Sequence, residues 1–305
     1  MGAILDDAGL RRWCVRAAAA LHARRAEIDA LNVFPVPDAD TGTNLALTLG
    51  CALQGCDGPG PFAVLARRMV LEARGSSGAI LAQFLAGVGQ AAVGEGRRGV
   101  DGAGLAAALG SGAAWARAAV AHPVEGTMLT VLDEAARGAA KAASSDGDPS
   151  LADVADAAVA AARAALERTP RLLPVLAEAG VVDAGGLGAV LVVEALADEA
   201  HGRDLPELPE SRVEPPPAAS EEGDRMSGTF EVMYTISPRD DGSRAVLSGE
   251  LTRLGRDVVV AGVDDVWQVH VHTTDPDGAV AVGGRYGAVS RIRTTPLREA
   301  GCTNR

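Results

Sequence analysis

Basic charge is scarce in this sequence. It has 28 Lys and Arg residues against 40 Asp and Glu residues, a formal net charge of −12 at pH 7, and Lys141 is the only lysine. This balance repels nucleic acid phosphates and anionic lipids unless a local basic patch overcomes it, and no such patch is evident. Aromatic residues make up 3% of the chain, and together with the abundant Ala they indicate a GC-rich coding sequence. We therefore expect neither nucleic acid nor a membrane surface as a partner.

Cysteine is sparse and unpatterned as well. Cys14, Cys51, Cys56 and Cys302 form no CxxC pair, which predicts reduced thiols and a cytoplasmic protein. The first residues lack a basic stretch followed by an apolar one, and no uncharged apolar run is expected to reach the roughly 18 to 20 residues that span a bilayer. The sequence thus predicts no transmembrane segment.

Standard nucleotide-binding motifs are missing. No GK[ST] follows a Gly-rich turn, as it does in a Walker A loop, and no GxGxxG opens a βαβ unit. The common α/β nucleotide-binding folds are therefore not supported.

What the chain does contain is helical periodicity. At 305 residues and 48% hydrophobic content it is long enough for about two domains with large cores. Apolar helical patterns with Gly-rich turns fill the first two thirds of the chain and predict an all-α domain over residues 1–204. The predicted helices are 10–31, 43–53, 62–72, 78–92, 102–119, 126–143, 151–166 and 186–200.

The pattern of apolar residues changes after a segment rich in Pro and Glu. Residues 205–227 hold few core-forming side chains and predict a solvated linker. Beyond it, period-two alternation predicts strands at 229–237, 257–262, 266–273 and 288–293, with helices at 245–254 and 278–286. This order predicts a small α+β domain of the split βαβ type over residues 228–305.

Two carboxylates stand two residues apart at the start of a predicted helix. Asp38 and Asp40 follow Pro35 and Pro37, which fix the backbone of the approach, and they lead directly into the residues TGTN. Such side chains cap helix N-termini. Two close carboxylates also suit a hard divalent cation such as Mg²⁺. Capping and metal binding both stay open on this spacing alone.

Three further glycine-bearing turns precede helices. The turn Gly75 to Gly78 (GSSG) offers amides and hydroxyls at a positive helix end, which suits a phosphate, but it also fits an ordinary turn between helices. Residues 123–131 (PVEGTMLTV) and 180–188 (GVVDAGGLG) are explained equally well by close helix packing, or by capping through Thr127 or Asp183.

The four stretches NVFPVPDADTGTN, RGSSG, EGTMLTV and VDAGG occur in the order and approximate spacing of one family. They resemble the nucleotide-binding domain of the fatty acid kinase FakA (YloV-like) family, which is similar to the DhaL domain of dihydroxyacetone kinases. The likeness covers essentially the whole chain, because the second domain with VHVHT at 269–273 resembles the family's middle domain. It implies a DhaL-like barrel of about eight helices that binds ATP or ADP and two Mg²⁺ ions at one end.

The resemblance also implies roles for single residues. Asp38 and Asp40 would be catalytic Mg²⁺ ligands, and Asn32 stands nearest the place of a third ligand. Thr43, also assigned to catalysis, and Asn44 would contact phosphate or metal-bound water. The remaining nucleotide contacts would be Ser76, Ser77 and Gly78 at the phosphates, Thr127, Met128 and Leu129 at adenine, and Asp183, Gly185 and Gly186 closing the pocket.

The activity that the resemblance implies is phosphoryl transfer from ATP to the carboxylate of a fatty acid, presented by a DegV-like fatty acid-binding protein. A carboxylate is already a nucleophile at neutral pH, so no strong general base is required. The alternatives are a non-catalytic nucleotide-binding regulatory module or the ATP-binding subunit of a dihydroxyacetone (glycerone) kinase. Family members continue into a third, DegV-like domain that this sequence lacks, and both a short natural form and a fragment stay open. Family analogy suggests a homodimer.

Two histidines of the second domain are the place where a further metal would bind. His270 and His272 share one face of a predicted strand. A structural zinc usually takes four ligands, and strand 229–237 lacks the Cys that some family members have there. Zinc is therefore not expected in this domain.

Overall fold

The computed structural model describes residues 4–54, 56, 60–94, 96–145, 147–207, 228–240 and 242–297. Ten helices come first within these ranges, and all eight predicted ones are among them. They are α1 Asp7–Ala23, α2 Arg25–Ala30, α3 Thr41–Gln54, α4 Phe62–Glu72, α5 Gly75–Val93, α6 Gly102–Ala119, α7 Met128–Ala143, α8 Leu151–Leu172, α9 Pro174–Ala179 and α10 Ala184–Ala200.

The two additional helices are short. The predicted helix 10–31 is interrupted at Arg24, where the backbone leaves the helical conformation, so it becomes α1 and α2. The six-residue α9 begins with Pro174, whose fixed φ suits a first helical position, and ends at Gly180 in the left-handed conformation.

The long helices close into a ring. Around it, α1 packs on α3, α3 on α5, α5 on α6, α6 on α7, α7 on α8, α8 on α10 and α10 on α1, while α4 packs against α3 and α5. Small residues allow close approach: a Cβ on Gly87 of α5 would lie 3.0 Å from the Cα of Gly112 on α6. The predicted all-α barrel of about eight helices is confirmed.

Helix α5 corrects one expectation. Its 19 uncharged residues are long and apolar enough to cross a membrane by length and composition, although no such run was expected. In the fold, 67% of the best window is buried inside the protein. The helix is apolar because it lies among α3, α4 and α6 in the core.

The second domain is a sheet with two helices on one face. Its elements are β1 Phe230–Pro238, α11 Arg244–Leu251, β2 Gly255–Val263, β3 Val266–Thr273, α12 Pro276–Tyr286 and β4 Gly287–Pro296. The strand order is β2-β3-β1-β4 and every pairing is antiparallel. Val232, Tyr234 and Ile236 face α11 and α12 and form a separate core. The predicted split βαβ domain is confirmed.

The opposite face of the sheet docks on the barrel. Val259, Ala261 and Val266 are buried in the same cluster as the helical core. Val120, which follows α6, forms a β-bridge with Val259, and the Ala121 amide donates to the Val258 carbonyl at 3.0 Å. The second domain therefore covers one end of the barrel.

Parts of the predicted organisation lie outside the described residues. The chain is described up to residue 207 and again from 228, so most of the predicted linker 205–227 falls in the gap, and the domain bounds stay a prediction. Cys302 is outside as well. Among the described residues, Cys14, Cys51 and Cys56 are free thiols.

Candidate active site

Hydrogen bonds fix the loop that carries the two aspartates. The Asn32 amide donates to Asp38 Oδ1 at 2.9 Å and to the Val36 carbonyl at 2.6 Å, and its oxygen accepts from the Thr41 hydroxyl. Asn32 is buried, and both ends of its carboxamide are engaged. These bonds indicate that it orients Asp38. Asn32 also lines the small cavity with the two aspartates, and its role as a third metal ligand stays a prediction.

The charged forms of Asp38 and Asp40 are destabilised in this site. Burial, followed by the charge of Asp40, raises the pKa of Asp38 to about 7. Burial also raises the pKa of Asp40, and Glu231 of the second domain adds to both shifts. Desolvated carboxylates that face one another are stabilised by a cation. The chemistry of this pair therefore fits Mg²⁺.

The ion would not be held by protein ligands alone. Within the described ranges, no group of three or more His, Cys, Asp or Glu side chains is arranged to hold a metal. Mg²⁺ is commonly bound by one or two carboxylates, with substrate phosphates and water completing its octahedral shell. The aspartate pair fits this second arrangement.

The start of α5 lies beside the pair. No side chain caps this helix. Gly75 has φ +57°, and a Cβ there would lie 2.5 Å from Asn44 Nδ2, so only glycine fits. A Cβ on Gly78 would lie 2.2 Å from the hydroxyl of Thr48, so Gly78 serves close packing of α5 on α3. The uncapped helix end, with its positive dipole, is suited to a phosphate.

Two cavities meet at this point. A small one of about 30 Å³ is lined by Asp38, Asp40, Asn44, Glu231, His270 and His272, among others. A larger one of about 310 Å³ extends from it. Pro35, Thr41, Ser76 and Ser77 line both, which places the start of α5 at their junction.

The larger cavity holds the predicted adenine contacts Thr127, Met128 and Leu129. Asp183 and Gly185, which were predicted to close the pocket, line it as well. The carboxylate of Asp183 caps α10 by accepting from the Gly186 amide at 2.7 Å. Gly186 itself does not line the cavity and supports Asp183 instead.

Thr43 is the predicted catalytic residue that the structure places elsewhere. Its hydroxyl donates to Asp29 Oδ2 at 2.8 Å, and its amide donates to Asp29 Oδ1 at 2.9 Å. It does not line either cavity. The first-turn threonine at the site is Thr41. Helix α3 begins at Thr41, earlier than the predicted start at Thr43, and Thr43 is turned toward α2.

The second domain contributes acidic side chains that sequence reasoning missed. Glu231 Oε1 lies 3.2 Å from His270 Nδ1, and Asp257 Oδ2 lies 3.0 Å from His272 Nδ1. His270 is 2% exposed, and its Nε2 has no hydrogen-bond partner. The paired histidines hold the pKa of both carboxyl groups below their usual range. The two histidines thus line the small cavity with Asp38 and Asp40, each beside its own carboxylate.

Asp257 owes its place to an irregular strand. The pairing of β2 with β3 shifts register between Arg256 and Val259, and Asp257 has φ +53°. Bulges of this kind turn side chains toward functional sites. Gly255, Arg256 and Asp257 consequently line the larger cavity.

Comparisons with known proteins agree with this architecture. Residues 35–198 match the model of the DAK2 domain, and residues 227–302 match that of the FakA-like middle domain of fatty acid kinase. Protein YloV of Bacillus subtilis is 31% identical over 97% of this chain and 56% of its own length. An uncharacterised protein of Staphylococcus haemolyticus is 30% identical over 89% of this chain and 51% of its length. The chain thus spans about half the length of the curated relatives it matches.

Part of the chain can be superimposed on a solved structure. The dihydroxyacetone kinase from C. freundii, in complex with AMP-PNP and Mg²⁺, aligns with 65% of this chain and 35% of its own at 23% identity and a TM-score of 0.47.

The family matches extend over both domains of the chain. The protein therefore belongs to the DAK2-domain kinase family, in the FakA (YloV-like) branch that carries the FakA-like middle domain.

Proposed function

We propose that this protein binds MgATP across the two joined cavities and transfers the terminal phosphoryl group to the carboxylate of a fatty acid, giving an acyl phosphate and ADP. The observation that carries the proposal is the desolvated pair Asp38 and Asp40 beside the uncapped start of α5. A metal-holding pair next to a phosphate-binding helix end is the minimum that phosphoryl transfer requires.

Each part of the site has a task in this reaction. Asp38 and Asp40 would hold two Mg²⁺ ions, which would supply the positive charge that neutralises the phosphates. Ser76 and Ser77 bind the phosphates at the start of α5, and Asn44 lies beside them in the small cavity. His270, whose buried Nε2 has no hydrogen-bond partner, lines the same cavity as the two aspartates.

The substrate and partner follow from the family branch. The match to the middle domain of a fatty acid kinase subunit supports a fatty acid as acceptor. A separate DegV-like protein as its carrier belongs to the proposal. A fatty acid carboxylate is ionised at neutral pH and attacks phosphorus without losing a proton. The site accordingly needs positioning and charge neutralisation more than a general base. Cytoplasmic location and a homodimer belong to the same proposal.

Two other functions are distinguished by substrate. A dihydroxyacetone kinase subunit would transfer phosphate to a hydroxyl group, and a regulatory module would bind nucleotide without turnover. The docked middle domain, whose Glu231 and His270 line the small cavity, favours the first proposal.

The test is nucleotide binding and turnover by the full chain. Calorimetry with ATP in the presence and absence of Mg²⁺ measures binding, and ADP release with a fatty acid-loaded DegV-like protein measures turnover. Asp38→Ala and Asp40→Ala should each abolish Mg²⁺-dependent binding. Asp240→Asn, an exposed change in the second domain, should bind as the wild type does.

The outcomes separate the candidates. Binding without turnover on fatty acid or dihydroxyacetone would leave the regulatory module. Turnover on dihydroxyacetone alone would leave the other kinase. Unchanged Mg²⁺-dependent binding in both aspartate variants would make the pair a helix cap and reject the metal assignment.

A further inference from the structure

Asp183 has one carboxylate at the starts of two helices. It accepts from the Gly186 amide in α10 at 2.7 Å and also from the amide of Met128, the first residue of α7. The hydroxyl of Thr127, which precedes α7, does not cap that helix and donates to the Val124 carbonyl at 2.7 Å instead. Asp183 is 5% exposed. Two backbone donors therefore fix its orientation inside the protein.

The same carboxylate lines the larger cavity. The end of this cavity that adjoins the aspartate pair is marked by Thr41, Ser76 and Ser77, which also line the small cavity. Asp183 lines only the larger one, together with Met128 and Leu129. Asp183 therefore lies outside the small cavity, and with the phosphates at the shared residues the base of a bound nucleotide would occupy the larger cavity that Asp183 lines.

The surroundings of Asp183 make its remaining acceptor capacity selective. An ionised carboxylate has about four lone-pair sites and no donor, and the two amides use only part of them. Ile80, Val120, Met128 and Leu129 give this part of the cavity largely apolar walls. An acceptor among apolar side chains favours a ligand that brings a hydrogen-bond donor and disfavours one that brings another acceptor.

We propose that Asp183 selects the base of the nucleotide by accepting a hydrogen bond from an exocyclic amino group, so that a 6-amino purine binds and a 6-keto purine is rejected. This inference rests on the proposed function, because it requires a nucleotide in the larger cavity. It assigns to Asp183 a specificity role in addition to its two capping bonds.

Paired nucleotides that differ at one position test the proposal. ATP and ITP differ by the amino or keto group at position 6, and purine riboside triphosphate has neither. Binding of each with Mg²⁺ is measured by calorimetry at pH 8, above the pKa of Asp183, which burial raises to about 7. The wild type should bind ATP about 10- to 100-fold more tightly than ITP, with purine riboside triphosphate between them.

A substitution then reverses the chemistry while keeping the cap. Asn ranks with Asp as an N-cap, and Asp183→Asn offers an amide donor in place of an acceptor. The ATP to ITP ratio should fall toward one or invert. Asp101→Asn is the matched control, because Asp101 caps α6 through Gly104 at 2.9 Å and lies outside the cavity. It should keep the wild-type ratio.

Failures of the two proposals are distinguishable. No binding of any triphosphate by the wild type would reject the proposed function. Binding of ATP and ITP with equal affinity would leave that function standing and overturn the role of Asp183, whether or not the variant folds. An unchanged ratio in folded Asp183→Asn would reduce Asp183 to a double helix cap.

Discussion

Gln83 and Gly262 exchange two hydrogen bonds across the contact between the barrel and the second domain. The Gln83 amide donates to the Gly262 carbonyl at 3.2 Å, and the Gly262 amide donates to Gln83 Oε1 at 2.5 Å. Gln83 lies on α5, the helix whose start borders both cavities, and its side chain is fully buried. The amide therefore satisfies the backbone of β2 as a neighbouring strand would.

Loss of this amide pair should loosen the second domain. Gln83→Leu would leave the buried Gly262 amide without its partner, at a cost of about 1 to 3 kcal/mol. The Gly262 carbonyl would keep only the long bond from Arg244 Nη1 at 3.4 Å. Hydrogen exchange measured by mass spectrometry should show faster exchange in β2, with the ring of helices protected as before. Gln90→Leu on the exposed face of α5 is the control. Equal protection of β2 in both variants would show that the pair does not hold the domain.

Substitution by alanine should have opposite effects on stability at two glycines, Gly75 and Gly110. Gly75→Ala places a Cβ 2.5 Å from Asn44 Nδ2 at a positive φ, so it should lower both the melting temperature and nucleotide affinity. Gly110→Ala lies on α6 with no atom within 4 Å of the added methyl and should stabilise by about 0.5 to 1 kcal/mol. Thermal melts and nucleotide titrations report both effects. A Gly75→Ala protein that binds as the wild type does would contradict the close approach of Asn44.

Thr43 gives a test of the predicted catalytic residues. Thr43→Val removes the hydroxyl bond to Asp29 while the Thr43 amide keeps its own, so it should cost about 0.5 to 1.5 kcal/mol of stability. Because Thr43 does not line either cavity, folded Thr43→Val should keep its affinity for MgATP. Urea unfolding and calorimetry on the same sample separate the two quantities. A large loss of affinity with unchanged stability would restore Thr43 to the site.

Buried Asp183 predicts a pH dependence of stability. Its pKa is raised by burial from 3.8 to about 7, so between these values the folded protein binds a proton that the unfolded chain does not. The stabilisation is complete below pH 4 and is lost as pH rises through 7. Between pH 5 and pH 8 this one group should lower the unfolding free energy by on the order of 2 to 3 kcal/mol.

Asp183→Asn should remove that contribution, because an amide does not titrate. Urea unfolding at pH 5 and pH 8 should then show a smaller decrease for the variant than for the wild type. An equal decrease in both proteins would mean that Asp183 is ionised throughout this range in the folded state.

The barrel end of the site was predictable because its residues are contiguous. Asp38 and Asp40 stand next to the helix that they precede, and GSSG opens α5, so spacing and local chemistry made them candidates, and the family resemblance implied their roles. The face of α3 that meets the site was not predictable. Successive helical residues lie about 100° apart, so Thr41 and Thr43 point to different sides of the helix. Thr41 lines both cavities, whereas Thr43 bonds to Asp29.

The residues that the second domain contributes to the site were not predictable from the sequence. Strand alternation places Glu231 and Met233 on one face of β1 and Val232 on the other, but it does not say which face meets the barrel. Asp257 was hidden for another reason, since its position depends on the register shift between Arg256 and Val259. Asn32 is a predicted ligand by position, and only its three hydrogen bonds show that it also supports Asp38.

The sequence by itself determined the class of each part of the fold, a ring of helices followed by a small sheet domain, because periodicity, capping and turn chemistry act over a few neighbouring residues. The metal and phosphate roles stay predictions that the family resemblance implies. Only the tertiary structure decided that the second domain covers the site. That arrangement depends on Gln83 meeting Gly262, Val120 meeting Val259, and Glu231 facing Asp38 and Asp40, contacts between residues far apart in the chain. Burial between the two domains is also what raises the pKa of the aspartate pair, since desolvation is a property of the assembled site and not of either segment.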